Sequence, residues 1–283
     1  MSIVTFSNND KKETGQTLSV AAIATIMAIE HKYKILILST DFNDRTMESM
    51  FFKTNGIEKN ISSLFQIKAD TTDVSNGIEG LVRLFASNRA EASLISTYAR
   101  PIFTGRLDLI SSPRTKEYSS YQTISNYFSQ VAELANSIYD LVIIDLSRKV
   151  PRENIERVYN VSTMICMGLP QNRSSIQEFR ELENENKFYQ QKNIMLTMGK
   201  YNDKSRYTAK NTARYLGKKV KPFVVPYCIR FADSCSESEI VDYILKIRNL
   251  SFMDGEDGKF YQSVKDSAER LDYQRRVIDF GIE

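Results

Sequence analysis

At 283 residues and 32.5 kDa, with 42% hydrophobic and 26% charged residues, the chain has an ordinary globular composition, which excludes a wholly disordered or fibrous protein. A formal net charge of +3 excludes a polycation that coats nucleic acid through net charge, so any basic binding face must be local. The longest largely apolar stretch, 20–29, is interrupted by Thr25 and reaches half of the roughly 20 residues a membrane-crossing helix needs.

In chain order, the first element is an apolar run at 3–6, which reads as a buried strand. Residues 7–12 turn polar directly after it, without the basic and apolar regions of a secretory signal, so a cytoplasmic location is expected. Helical spacing follows over 17–30, then a strand at 35–38. The stretch 46–104 is less regular and is expected to form helices and loops over the sheet. Strands at 107–110, 141–144, 164–167, 194–197 and 223–225 alternate with helical patterns at 121–137, 174–190, 208–216 and 237–247. A turn-rich acidic break at 254–258 precedes a last helical pattern, 259–276, with Phe260, Val264, Ala268 and Leu271 near one face.

Continuous apolar strands joined by helix-length crossovers imply a doubly wound α/β fold, with a mostly parallel sheet flanked by helices on both faces. We expect one domain over 1–250 and a C-terminal helical tail, 251–283, packed on it. Cys166, Cys228 and Cys235 are odd in number and widely spaced, without CxxC pairing, and are expected to be buried thiols. His31 is the only histidine, which makes Ser-His-Asp or histidine-metal chemistry improbable.

In such folds ligands bind at the carboxyl ends of the strands, where a loop leads into a helix N-terminus whose free N–H groups suit phosphate. Here that loop contains Asp10-Lys11-Lys12-Glu13-Thr14-Gly15-Gln16-Thr17. It resembles the deviant Walker A loop of the ParA/MinD family of P-loop ATPases, which reads approximately G-K-G-G-x-G-K-[ST]. Lys11 matches the signature lysine, Gly15 the last glycine and Thr17 the hydroxyl ligand. Asp10, Lys12 and Glu13 stand where glycines would form a phosphate-cradling nest, and Gln16 takes the place of the second lysine.

Four later segments carry the same resemblance. Residues 34–44 resemble the second strand and the switch after it, with Asp41 near the acidic residue that positions water in family members; alone, Asp41 reads as a helix N-cap. Residues 139–145 resemble the Walker B strand, which ends in Asp145. Residues 194–201 and 224–227 resemble the later strands, with Gly199 where the family commonly has an adenine-reading Asn.

The resemblance covers roughly residues 1 to 248 and implies an ATP and Mg2+ site. Lys11, Thr14, Gly15, Gln16, Thr17 and Leu18 would surround the phosphates, Thr17 and Asp145 the metal, and Lys11 and Asp41 would be catalytic. The altered loop implies an ATPase that is slow at most. The resemblance further implies a bacterial homodimer that positions or partitions a cargo, such as a plasmid, a pilus or secretion apparatus or conjugation machinery, through a cargo or regulatory protein. A nucleotide-independent pseudo-ATPase scaffold is the alternative.

Residues 204–221 contain seven basic residues and no acidic one. Arg206, Lys210 and Arg214 recur every four residues, and Lys218 and Lys219 follow. This is a candidate footprint for sequence-nonspecific DNA or an anionic membrane surface, set against the plain reading of a solvated helix.

Overall fold

The computed structural model describes residues 1–8, 14–53, 77–191 and 193–281. Aliphatic runs become strands β1 (Ser2–Asn8), β2 (Ile35–Ser39), β3 (Arg100–Phe103), β4 (Leu107–Ile110), β5 (Leu141–Asp145), β6 (Met164–Gly168), β7 (Ile194–Tyr201) and β8 (Phe223–Pro226). They form one sheet in the order β3-β4-β2-β5-β1-β6-β7-β8. Every pairing is parallel except β3 with β4.

The central strands are buried on both faces, as helix-covered parallel sheets require. Period-two alternation divides their side chains between two cores. Ile35, Ile37, Leu141 and Ile143 face one, while Leu36, Leu38, Val142 and Ile144 face the other.

The helices are α1 (Gln16–Glu30), α2 (Thr46–Phe51), α3 (Ile78–Ala86), α4 (Ala92–Tyr98), α5 (Tyr118–Ser125), α6 (Phe128–Asn136) and α7 (Arg152–Val161). They continue with α8 (Arg173–Glu185), α9 (Lys187–Gln191), α10 (Ala209–Leu216), α11 (Ile229–Ser236), α12 (Ile240–Ile247) and α13 (Gly255–Phe280). The first core packs α1, α2, α11, α12 and α13, and the second packs α3 to α10.

The acidic break expected at 254–258 is instead the start of α13, whose first turn carries Glu256 and Asp257, and four further elements differ from the sequence expectation. The single helix over 121–137 is two, α5 and α6, and the Asn154 amide donates to Ser125 Oγ at 2.8 Å and to Asn126 Oδ1 at 2.9 Å where they part. The helix over 174–190 breaks at Asn186, whose Oδ1 accepts from Phe188 N at 3.0 Å. Helix α11 was not anticipated, and Ser238, with φ 60, turns the chain between it and α12. Strand β3 was also missed: it is short and mostly exposed and carries Pro101, so it lacks the buried apolar signature and suits only an edge. The three cysteines are buried and unbridged.

Helix α13 closes the other edge of the sheet. Phe260, Tyr261, Val264, Ala268 and Leu271 are buried in the first core. Ser267 pairs with the outer backbone of β8, accepting from Val224 N at 2.8 Å and donating to Val224 O at 2.9 Å. Near its end, buried Asp272 accepts from Arg275 Nη2 at 2.6 Å, and Arg275 Nη1 reaches Ser2 Oγ at 3.2 Å on the central strand. Ser2 in turn donates to Asp279.

Candidate functional site

The sheet order places the carboxyl ends of β1, β2 and β5 side by side, and α1 starts just beyond them. Gly15 caps α1 in the left-handed region, φ 69 and ψ 24, which other residues adopt only at a cost. Its carbonyl accepts from Ser19 N at 2.9 Å, which begins the helix. Thr14 is buried, accepts from Asn8 Nδ2 at 3.1 Å and presses on Gly168, where an added Cβ would sit 3.0 Å from Thr14 Oγ1.

Gly199 meets the same turn from β7. A Cβ there would lie 2.4 Å from Thr14 O and 2.7 Å from Ser19 Oγ. An Asn at this position, the family's usual adenine reader, would collide with the backbone at the entry to α1, so the glycine has a steric reason of its own.

Gln16 does not reach outward as a phosphate-binding lysine would. Its Nε2 turns back and donates to Asp145 Oδ1 at 2.6 Å, with Leu146 O at 3.1 Å and Phe6 O at 3.2 Å. Two amide hydrogens are thus shared among three acceptors. Burial pushes the Asp145 carboxyl up to about 6, against hydrogen bonds from Gln16 and Thr17 that lower it; the nearby carboxylates Asp41 and Asp44 add to the rise. Thr17 and Asp145 are therefore brought together as the sequence order implied.

Asp41 stands opposite. Its Oδ1 accepts from Ser147 Oγ at 3.0 Å and pairs with Lys149 Nζ at 3.0 Å. It is not the cap of α2. The N-cap position is Arg45, which makes no side-chain cap hydrogen bond, and Asp44 before it accepts from Thr46 N at 2.7 Å. Thr40 fastens the β2 loop to the end of β5, donating from its N and Oγ1 to Asp145 O at 3.2 and 2.9 Å.

These residues surround a cavity of about 600 Å3 bordered by Thr14, Gly15, Gln16, Thr17, Leu18, Asp41, Asp44 and Asp145. Arg148, Lys149 and Lys200 also line it, and none of the three was singled out from the sequence. For the first two the signal was there: a basic pair begins three residues beyond Asp145. Lys11 lies outside the described residues, as do Asp10, Lys12 and Glu13. A second cavity, about 910 Å3, adjoins through Asn8 and Arg148 and has walls of Tyr159, Phe179, Phe188 and Tyr189.

The basic segment is less uniform than its spacing suggests. Helix α10 starts at Ala209, with Thr208 Oγ1 accepting from Asn211 N at 3.2 Å as its N-cap, so Arg206 precedes the helix and does not share its face. Lys218 is ion-paired with Glu183 of α8. Lys210, Arg214 and Lys219 are exposed, as is Arg206.

No family model and no curated protein matches the sequence. Solved structures match the fold. A ParA family ATPase from Chlorobium tepidum TLS superimposes with a TM-score of 0.66 at 18% identity, over 95% of this chain and 98% of that one. The septum site-determining protein MinD of Pyrococcus horikoshii OT3, solved with Mg-ADP, gives 0.61 at 12% identity over 98% of each chain. A plasmid partition protein of Borrelia burgdorferi B31, solved with AMPPNP, gives 0.60 at 14% identity over 95% of this chain and 99% of that one. The fold is thus the ParA/MinD type of P-loop fold, and identities this low establish the fold alone.

Proposed function

We propose that this chain is a ParA/MinD-like positioning protein, a homodimer that localises a cargo such as a plasmid, a pilus or secretion apparatus or conjugation machinery, with hydrolysis slow or lost. The observation that carries this reading is the pairing of Thr17 and Asp145 beside a cavity at the N-terminus of α1, with Gln16 closed onto Asp145. A magnesium nucleotide fits that donor set. The Thr17 hydroxyl and the Asp145 carboxylate suit the metal and its waters, and the first N–H groups of α1 suit phosphate. When bound, the nucleotide supplies a removable anionic ligand that distinguishes two states of the protein. MinD of Pyrococcus horikoshii, solved with Mg-ADP, and the Borrelia partition protein, solved with AMPPNP, support this assignment by their fold.

Gln16 is the reason to place hydrolysis low. It holds hydrogen-bonding capacity without charge, and its amide is spent on Asp145 and two carbonyls. The same contact favours a second reading, a pseudo-ATPase adaptor in which this amide takes the place of ligand. Titration calorimetry with ATP and magnesium, beside the mass in solution with and without nucleotide, separates them. Micromolar binding that drives dimerisation supports the switch, and no heat and no mass change at millimolar ATP refutes it in favour of the adaptor.

A further inference from the structure

We propose that Lys149, on the loop after β5, is, among the described residues, the cation that holds the terminal phosphate of a polyphosphate ligand in the 600 Å3 cavity, a task that Gln16 cannot perform. The proposal rests on the reading of that cavity as a nucleotide site.

The argument begins with charge. Asp41, Asp44 and Asp145 line the cavity, and residue 16, where a lysine would oppose them, is neutral and turned inward. A polyphosphate entering such a site needs compensating cations. Among the described residues the cavity offers Arg148, Lys149 and Lys200. Arg148 also borders the neighbouring aromatic cavity. The stem of Lys200 lies against the α1 turn, where a Cβ on Gly15 would be 3.1 Å from its Cγ.

Lys149 is placed differently. Its root is held, because its N donates to Ser147 Oγ at 3.2 Å and its carbonyl accepts from Tyr118 OH at 2.9 Å. Its ammonium reaches across the cavity wall to Asp41 Oδ1 at 3.0 Å and Phe42 O at 3.3 Å. The side chain is 52% exposed, so exchanging one anionic partner for another requires no unpacking. A phosphate carries more charge and more acceptor oxygens than the Asp41 carboxylate. Ligand and Asp41 therefore compete for one ammonium, and arrival of the ligand releases Asp41 from its ion pair.

Calorimetry with Mg-ATP on the full chain and on Lys149→Met, Asp41→Asn and the double variant tests this. Loss of Lys149 should weaken binding about tenfold, the scale of one charge-assisted contact to phosphate. Asp41→Asn should strengthen binding about two- to fivefold, the worth of an exposed ion pair, and should do so only where Lys149 is present. Lys149→Arg should keep binding within about threefold, since the charge is retained. Equal affinity for wild type and Lys149→Met overturns the assignment while leaving the nucleotide reading intact, as does an equal gain from Asp41→Asn in both backgrounds. If wild type takes up no Mg-ATP, the nucleotide reading fails and the role of Lys149 fails with it.

Discussion

Replacing Asp145 by Asn should change how stability depends on pH. Burial raises the folded-state value of this carboxyl from 3.8 to about 6. Between those values the native protein binds more protons here than the unfolded chain does, so stability falls as pH rises. The contribution is fully present below about pH 4 and is lost as pH climbs through about 6. At about 1.4 kcal/mol per pH unit, the loss amounts to roughly 3 kcal/mol by pH 7.5. The Asp145→Asn side chain keeps an acceptor oxygen for Gln16 and removes the titration. The difference in unfolding free energy between variant and wild type, from urea titrations at several pH values between about 4 and 8, should therefore move by roughly 3 kcal/mol in favour of the variant. A difference that stays constant across that range, or moves the other way, refutes the placement of an ionised, desolvated Asp145 beneath Gln16.

Three further outcomes follow from the geometry. Gly199→Ala drives a Cβ against Thr14 O and should cost about 1–3 kcal/mol, seen as a melting temperature lowered by about 2–6 °C; an unchanged melt rejects the close approach. Ser267→Ala leaves both backbone groups of Val224 without their partner and should cost about 1–3 kcal/mol in urea unfolding, whereas Ser267→Thr should retain the contact if the extra methyl is accommodated. If the exposed basic side chains of α10 contact DNA phosphates, Lys210→Glu with Arg214→Glu should lower the slope of log affinity against log salt for duplex DNA by about 2; wild-type binding that ignores salt removes the DNA reading.

The sheet was legible because seven of its strands are aliphatic runs that must be buried on two faces, and such runs tolerate little else. What stayed hidden were features whose cause is distant in the chain. The break between α5 and α6 is met by Asn154, far downstream, and β3 exists only because β4 offers it an edge. The site divides in the same way. Thr17 and Asp145 could be paired from motif order, yet the inward turn of Gln16 depends on Phe6 O and Leu146 O converging beside Asp145, which no local spacing reveals. Gly199 was visible as a departure from the ParA/MinD pattern, but its steric cause was visible only once Thr14 and Ser19 were placed against it.

The contact between Ser2 and Asp279 has a kinetic side. β1 is central, yet its sheet neighbours β5 and β6 begin at Leu141 and Met164, and its last polar partner lies 277 residues away. At ribosomal rates of about 5–20 residues per second, on the order of 15–55 s separate the synthesis of that strand from the synthesis of the helix that fastens it. For roughly the first half of that interval β1 waits without β5 and β6, and for all of it without the helix that fastens it, so this sheet closes late, and its assembly is governed by long-range encounters that make folding slow and exposed to aggregation.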